Sequence, residues 1–135
     1  MVGILADNDA EGQLAILLRY FQAEPWTESW SSMNLVIHTF ESLGLARTAP
    51  DSTVWMLCQH EQVVLITGNR NRDGEHSLEA TIQASNSPDC LPVITLADRE
   101  RVRKDRKYAR RTADRIMDYL IEIDKLRGTG RLYVP

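Results

Sequence analysis

The sequence is short of the residues that staple small domains or hold zinc. It has two cysteines, Cys58 and Cys90, and three histidines, His38, His60 and His76. None of them falls into a CxxC or Cys–His spacing, so no disulfide framework and no tetrahedral zinc ligand set is implied. Two separated thiols suit a reducing compartment, and the expected location is cytoplasmic. Long apolar runs are missing too. Nothing approaches the ~20 residues that cross a bilayer. No basic segment precedes the first apolar stretch as in a secretory leader, so no membrane role is expected. Aromatic residues make up only 7% of the chain. Tyr108 alone falls among the clustered basic residues, which excludes a base-stacking platform there.

What is present reads as a globular chain. Hydrophobic residues make up 43% and charged residues 26%, ordinary values for a packed domain. A chain of 135 residues buries roughly two-thirds of the surface it exposes when unfolded, enough for one core without staples. With no internal repeat and no low-complexity linker, residues 1–135 are expected to form one domain. The net charge of −3 is unevenly spread, because nine of the sixteen Lys and Arg residues fall between Arg99 and Arg115. Such a run is usually a solvated helix face, but it also permits contact with phosphates.

Apolar runs alternate with helical patterns. Val2-Gly-Ile-Leu-Ala6 reads as a buried strand stopping at Asp7-Asn8-Asp9. Asp9 is placed to cap a helix whose apolar stripe is Leu14, Leu17, Leu18 and Phe21, with Pro25 ending it. Trp26 and Trp30 share a helical face, and Asn34–Phe40 reads as a second strand. Asp51 is a candidate N-cap for a helix ending near Gln62. Val63-Val-Leu-Ile-Thr67 is a β-branched third strand, followed by the polar loop Gly68–Gly74 and a helix from about Ser77. Leu91–Leu96 is a fourth strand, with its proline at the start where a missing donor is tolerated. One long helix is expected from Asp98 to Lys125, broken by Gly128-Thr-Gly130. Arg131–Val134 then reads as a short edge strand or docked tail. Strands alternating with helices predict a three-layer α/β/α domain around a mostly parallel sheet of four to five strands.

Ligands of such folds bind beyond the carboxyl ends of the strands. Asp7 and Asp9 lie there, as do Thr67 and the loop carrying Asn69, Asn71 and Asp73, and Thr95 and Asp98 on the fourth strand. Asp51 opens the helix before the third strand, which puts it at the strand's amino end unless that helix is short or tilted. Gathered carboxylates repel, and a divalent cation relieves the repulsion. The competing reading makes Asp7, Asp9 and Asp51 strand ends and helix caps, and Asn69 and Asn71 ordinary turn residues. The three tryptophans suit a core or a dimer interface.

The strand Ile4-Leu-Ala-Asp7, and Asp51 at the head of a helix leading into Val63–Thr67, resemble PIN-like domains. The stretch Thr67-Gly-Asn-Arg-Asn-Arg-Asp73 stands where that family has Thr-x-Asp-x-Asp. The likeness runs from about residue 2 to residue 98. The whole chain also resembles a group of uncharacterised cyanobacterial proteins with an Ala-Asp-Asn-Asp opening and a Leu-Arg-Gly-Thr-Gly-Arg-Leu-Tyr ending. The resemblance implies a Mg²⁺- or Mn²⁺-dependent ribonuclease, often the toxin of a toxin–antitoxin pair, with RNA as substrate and an antitoxin as partner. Carried over, Asp7, Asp51 and Asp73 are the catalytic acids and Thr67 orients them. Asp7, Asp9, Asp51, Asn69 and Asp73 are the metal ligands. Arg70, Arg72, Arg99 and Arg103 are the expected nucleic-acid contacts. Asn69 and Asn71 stand where the family carries acids. Asp73, Asp9 or Glu79 would then have to compensate, or the protein binds RNA or a partner without cutting.

Two further likenesses attach to the same corner. Asp7-Asn8-Asp9 with Ile66-Thr-Gly-Asn69 is similar to the nucleophile and Thr motifs of haloacid-dehalogenase-like phosphatases, without their Gly-Thr after the second Asp. It also resembles the acidic corner of receiver domains, which carry an acceptor Asp where this chain has Thr67-Gly-Asn69. The alternatives to a nuclease are therefore a phosphatase and a non-catalytic homodimeric interaction module built on the Trp-bearing helices.

Overall fold

The computed structural model describes residues 2–68 and 77–135. Five parallel strands form one sheet in the order β2-β1-β3-β4-β5. They are β1 (Gly3–Ala6), β2 (Val36–His38), β3 (Val63–Thr67), β4 (Val93–Leu96) and β5 (Arg131–Val134). Helices cover both faces, giving the expected three-layer α/β/α architecture with an all-parallel sheet. The three central strands are buried along their whole length. This is why they read as continuous apolar runs rather than alternating ones.

Alternate residues of each central strand divide between two cores. Ile4, Ala6, Val64, Ile66, Ile94 and Leu96 face α1 (Glu11–Phe21), α5 (Arg99–Lys104) and α6 (Arg106–Ile121). Leu5, Val63, Leu65 and Val93 face α3 (Asp51–His60) and α4 (Leu78–Ser85). Period-2 alternation of side chains produces this sorting. Each fully buried aliphatic side chain contributes roughly 1.5–3 kcal/mol.

The short helix α2 (Thr27–Met33) ends at Asn34, which takes the left-handed conformation at φ 50°. The tryptophans belong to the packing. Trp30 stacks on Phe21 with ring centroids 5.3 Å apart, and the Trp26 indole N–H donates to Asp114 at 2.7 Å. Trp55 is buried, and its indole N–H has no hydrogen-bond partner among the described residues. Burying an indole of about 200 Å² is worth about 5 kcal/mol, against about 1–3 kcal/mol for the unpaired donor, so the packing wins. Trp26 and Trp30 remain partly exposed, whereas Trp55 belongs to the core.

The expected helix from Asp98 to Lys125 is divided. Asp98 caps α5 by accepting from Arg101 N–H at 3.0 Å, and Asp105 caps α6 by accepting from Tyr108 N–H at 3.1 Å. A side chain that satisfies the amide three residues on competes with the helical bond and turns the chain. A 3₁₀ turn at Ile123–Leu126 follows. Gly128 and Gly130, at φ 89° and 82°, then lead into β5, which pairs with β4 from Val93–Arg131 to Leu96–Val134. The C-terminal segment is therefore a true edge strand.

Candidate functional site

In the order 2-1-3-4-5 the chain leaves β1 in one direction and returns across the sheet to β3. The crevice beyond the carboxyl ends of β1 and β3 is the switch point where ligands of open α/β sheets bind. Asp7 stands there, one residue past β1. The backbone N–H of Asp7 donates to Ile66 O at 2.8 Å, which continues the sheet and fixes its direction. Asn8 N–H donates to Asp7 Oδ1 at 2.8 Å, and the fully buried Thr67 hydroxyl donates to Asp7 Oδ2 at 3.1 Å.

Asp9 does not cap α1 as expected. The capping position of that helix is Ala10, which offers no side-chain cap. The Asp9 carboxylate instead turns toward β3, where Oδ1 accepts from Gly68 N–H at 3.1 Å and lies 3.4 Å from the Thr67 hydroxyl. Its Oδ2 meets the Arg99 guanidinium at 3.2 Å. The approach depends on Gly68, since a Cβ there would come within 2.9 Å of Arg99 Cδ and 3.3 Å of Asp9 Oδ2. Gln13 holds the same junction by donating to Arg99 O at 3.3 Å.

Asp51 corrects the sequence-based placement. It is the first residue of α3, with Pro50 in the capping position, and its negative charge reaches Asp7. The helix before a parallel strand runs antiparallel to it. Ten helical residues span about 15 Å, which returns the helix start to the strand's carboxyl end. Burial pushes the Asp7 carboxyl above its ordinary range. The charges of Asp9 and Asp51 push it further the same way, while the bonds from Asn8 and Thr67 oppose the rise.

Other expected residues are assigned differently. Asp98 is a helix cap. Glu79 is held at 3.0 Å by Arg131, which also donates to the Thr95 hydroxyl at 2.8 Å. Both Glu79 and Thr95 thus serve the attachment of β5. Arg103 is exposed on α5, four residues beyond Arg99. Asn69, Arg70, Asn71, Arg72 and Asp73 lie outside the described residues.

Two contributors escaped the sequence reading. Asn8 donates to Arg47 O at 2.8 Å and accepts from Arg47 Nη1 at 2.9 Å. Arg47 also pairs with Glu11 and with Glu41, the latter at 3.0 Å, and lies over the Phe40 ring. This network ties the loop after β2 to the corner. A single arginine in Leu45-Ala-Arg47-Thr48 carries no local signal of it. The corner thus sets two acids on one hydroxyl with a third acid nearby, and a guanidinium on either side.

Among the described residues, no group of three or more His, Cys, Asp or Glu side chains is disposed to hold an ion. The pair that does converge, Asp7 and Asp9 on Thr67, suits Mg²⁺, which takes one or two carboxylates and keeps several waters. Asp7 is the better ligand of the two, because Arg99 already balances Asp9. No helix among the described residues is long and apolar enough to cross a membrane. The chain matches no known protein family, no characterised protein and no solved structure.

Proposed function

We propose that the protein is a divalent-cation-dependent ribonuclease of the PIN-like type, acting in the cytoplasm, with Mg²⁺ or Mn²⁺ held through Asp7. The observation that carries this reading is the convergence of Asp7 and Asp9 on the Thr67 hydroxyl at the switch point. Asp51 adds a third negative charge to the corner. A half-buried carboxylate beside two others is unfavourable alone, and a cation removes the conflict. Held there chiefly by Asp7, such an ion would supply an activated water and charge stabilisation at a phosphate. The chain's own residues do the rest. Thr67 and Asn8 N–H orient Asp7, Gly68 N–H orients Asp9, and Arg99 offers a guanidinium to a phosphate. Asn69 and Asp73, in the sequence after Gly68, would extend the proposed ligand set, and Arg70 and Arg72 the proposed RNA contacts.

The test is cleavage of single-stranded RNA by purified protein with Mg²⁺ or Mn²⁺. Wild type should cut, and Asp7→Asn should lose at least a hundredfold in rate, on the order of what a positioned catalytic group contributes. Absence of metal-dependent cutting across several RNAs would rule this reading out. An antitoxin partner belongs to the same reading and would be sought by co-purification.

A second reading, a non-catalytic homodimer, is favoured by the edge strand β2. Val36 and Ile37 are 54% and 38% exposed, and an unpaired apolar edge is a template for pairing with a second chain. On this reading Arg99 is a permanent counter-ion for Asp9. Light scattering at micromolar concentration should then give a dimer that Val36→Lys dissociates.

A further inference from the structure

Away from the acid corner, α1 and the α5–α6 junction enclose a cleft of about 190 Å³. Arg19 and Tyr20 line it from α1, Arg103 from α5 and Arg106 from α6, over an apolar floor that includes Ile16 and Val102. None of the three arginines makes an ion pair with a described carboxylate. Two of the acids on the neighbouring turns are engaged elsewhere. Asp105 pairs with Arg101 at 3.4 Å and caps α6, and Asp114 accepts from Trp26. Three guanidinium groups line one concavity without an ion pair among the described residues, and an anionic ligand there would relieve their mutual repulsion. The planar fork of arginine suits phosphate oxygens.

The position of the cleft indicates which phosphates. Arg99 sits at the acid corner on Asp9, and Arg103 lies four residues further along α5, about 6 Å at helical rise. Arg106 and Arg19 line the same cleft as Arg103. A basic track of this kind follows a backbone rather than a single ion. A membrane surface is disfavoured: among the described residues no exposed large hydrophobic residue lies on α1 or α5, and the one on α6, Ile121, is at the far end of that helix from Arg106.

We propose that the Arg19–Arg103–Arg106 cleft binds the phosphate backbone of single-stranded nucleic acid and guides the strand toward Arg99 at the acid corner. The inference deepens the ribonuclease reading, but it is tested by binding in the absence of metal, so that the two fail separately.

The probe is a fluorescent twelve-nucleotide oligouridylate, followed by anisotropy in EDTA across a range of salt concentrations. The variant Arg19→Ala/Arg103→Ala/Arg106→Ala should bind at least about tenfold more weakly. Its salt slope should fall by about 2, since each phosphate neutralised on a single strand accounts for roughly 0.7. The control Arg110→Ala/Arg111→Ala/Arg115→Ala removes equal charge from α6 outside the cleft and should keep most of the affinity. If the triple variant melts early, Arg103→Ala alone should still lower the slope by about 0.7. The proposal is overturned if wild type does not bind the strand, if the cleft variant binds equally well, or if both triple variants lose equally. It is also overturned if the cleft variant loses only binding to anionic vesicles. An Asp7→Asn protein that no longer cuts but binds as wild type would separate the cleft from the chemistry.

Discussion

At the scale of single residues, the corner works against the stability of the fold. Burial holds the Asp7 carboxyl above its ordinary range, and the charges of Asp9 and Asp51 push the same way. Its folded-state pKa lies above the ordinary 3.8, so protonation favours the folded chain. That favourable contribution is complete below the ordinary value and is lost as pH rises through the raised one. Asp7→Asn keeps the oxygen that accepts from Asn8 and Thr67 but removes the charge. It should raise the melting temperature by a few degrees at pH 7 without metal, and the gain should vanish below about pH 4. Scanning calorimetry of both proteins against pH checks this, and an Asp7→Asn protein less stable at pH 7 would contradict the burial argument. Arg131 is the opposite case. Its side chain is 7% exposed and holds Glu79 and Thr95. Arg131→Met leaves the Glu79 carboxylate without its partner and should cost about 3 kcal/mol in urea unfolding.

Among the elements, the buried strands were the most legible in the sequence. Val63–Thr67 is a strand with the bounds its β-branched run implies. Ser77 caps α4 as its residue type suggests, accepting from Ala80 N–H at 3.1 Å. Ser77→Ala should cost about 1 kcal/mol, read as a lower urea midpoint. The misreadings concern acids that have several uses. Asp9, Asp98 and Asp105 all stand beside helix starts, and residue type alone does not say which amide a carboxylate takes. Asp9 takes Gly68 N–H across the sheet, a partner 59 residues away. Asp105 takes a local amide and splits a helix whose apolar period runs through it. Arg47 and Asn8 gain their roles only when two distant loops meet. The thiols give a further check at this scale. Burial, helped by the Asp7 charge, pushes Cys58 up to about 12, whereas Cys90 is half-exposed. Native protein at pH 8 should release one fast thiol to an aromatic disulfide reagent and the second only on unfolding.

For the whole molecule, the strand order decides where chemistry is possible. Parallel strands with helices returning antiparallel bring β1, β3 and the start of α3 to one edge. Asp7 and Thr67 meet there despite lying 60 residues apart, and the charge of Asp51 at the start of α3 is felt at Asp7. The alternation of apolar and amphipathic segments makes this architecture readable from sequence. Whether the meeting acids serve a metal depends on charge balance, which sequence spacing does not supply. The proposed balancing of the Asp7 corner by a divalent cation is tested by thermal melting at pH 7 under Mg²⁺ or Mn²⁺ titration. A ligand of the folded state raises the melting temperature with the logarithm of its concentration. Wild type should show this rise and Asp7→Asn should not. Equal responses from the two proteins, or no response from wild type up to millimolar metal, would contradict the claim.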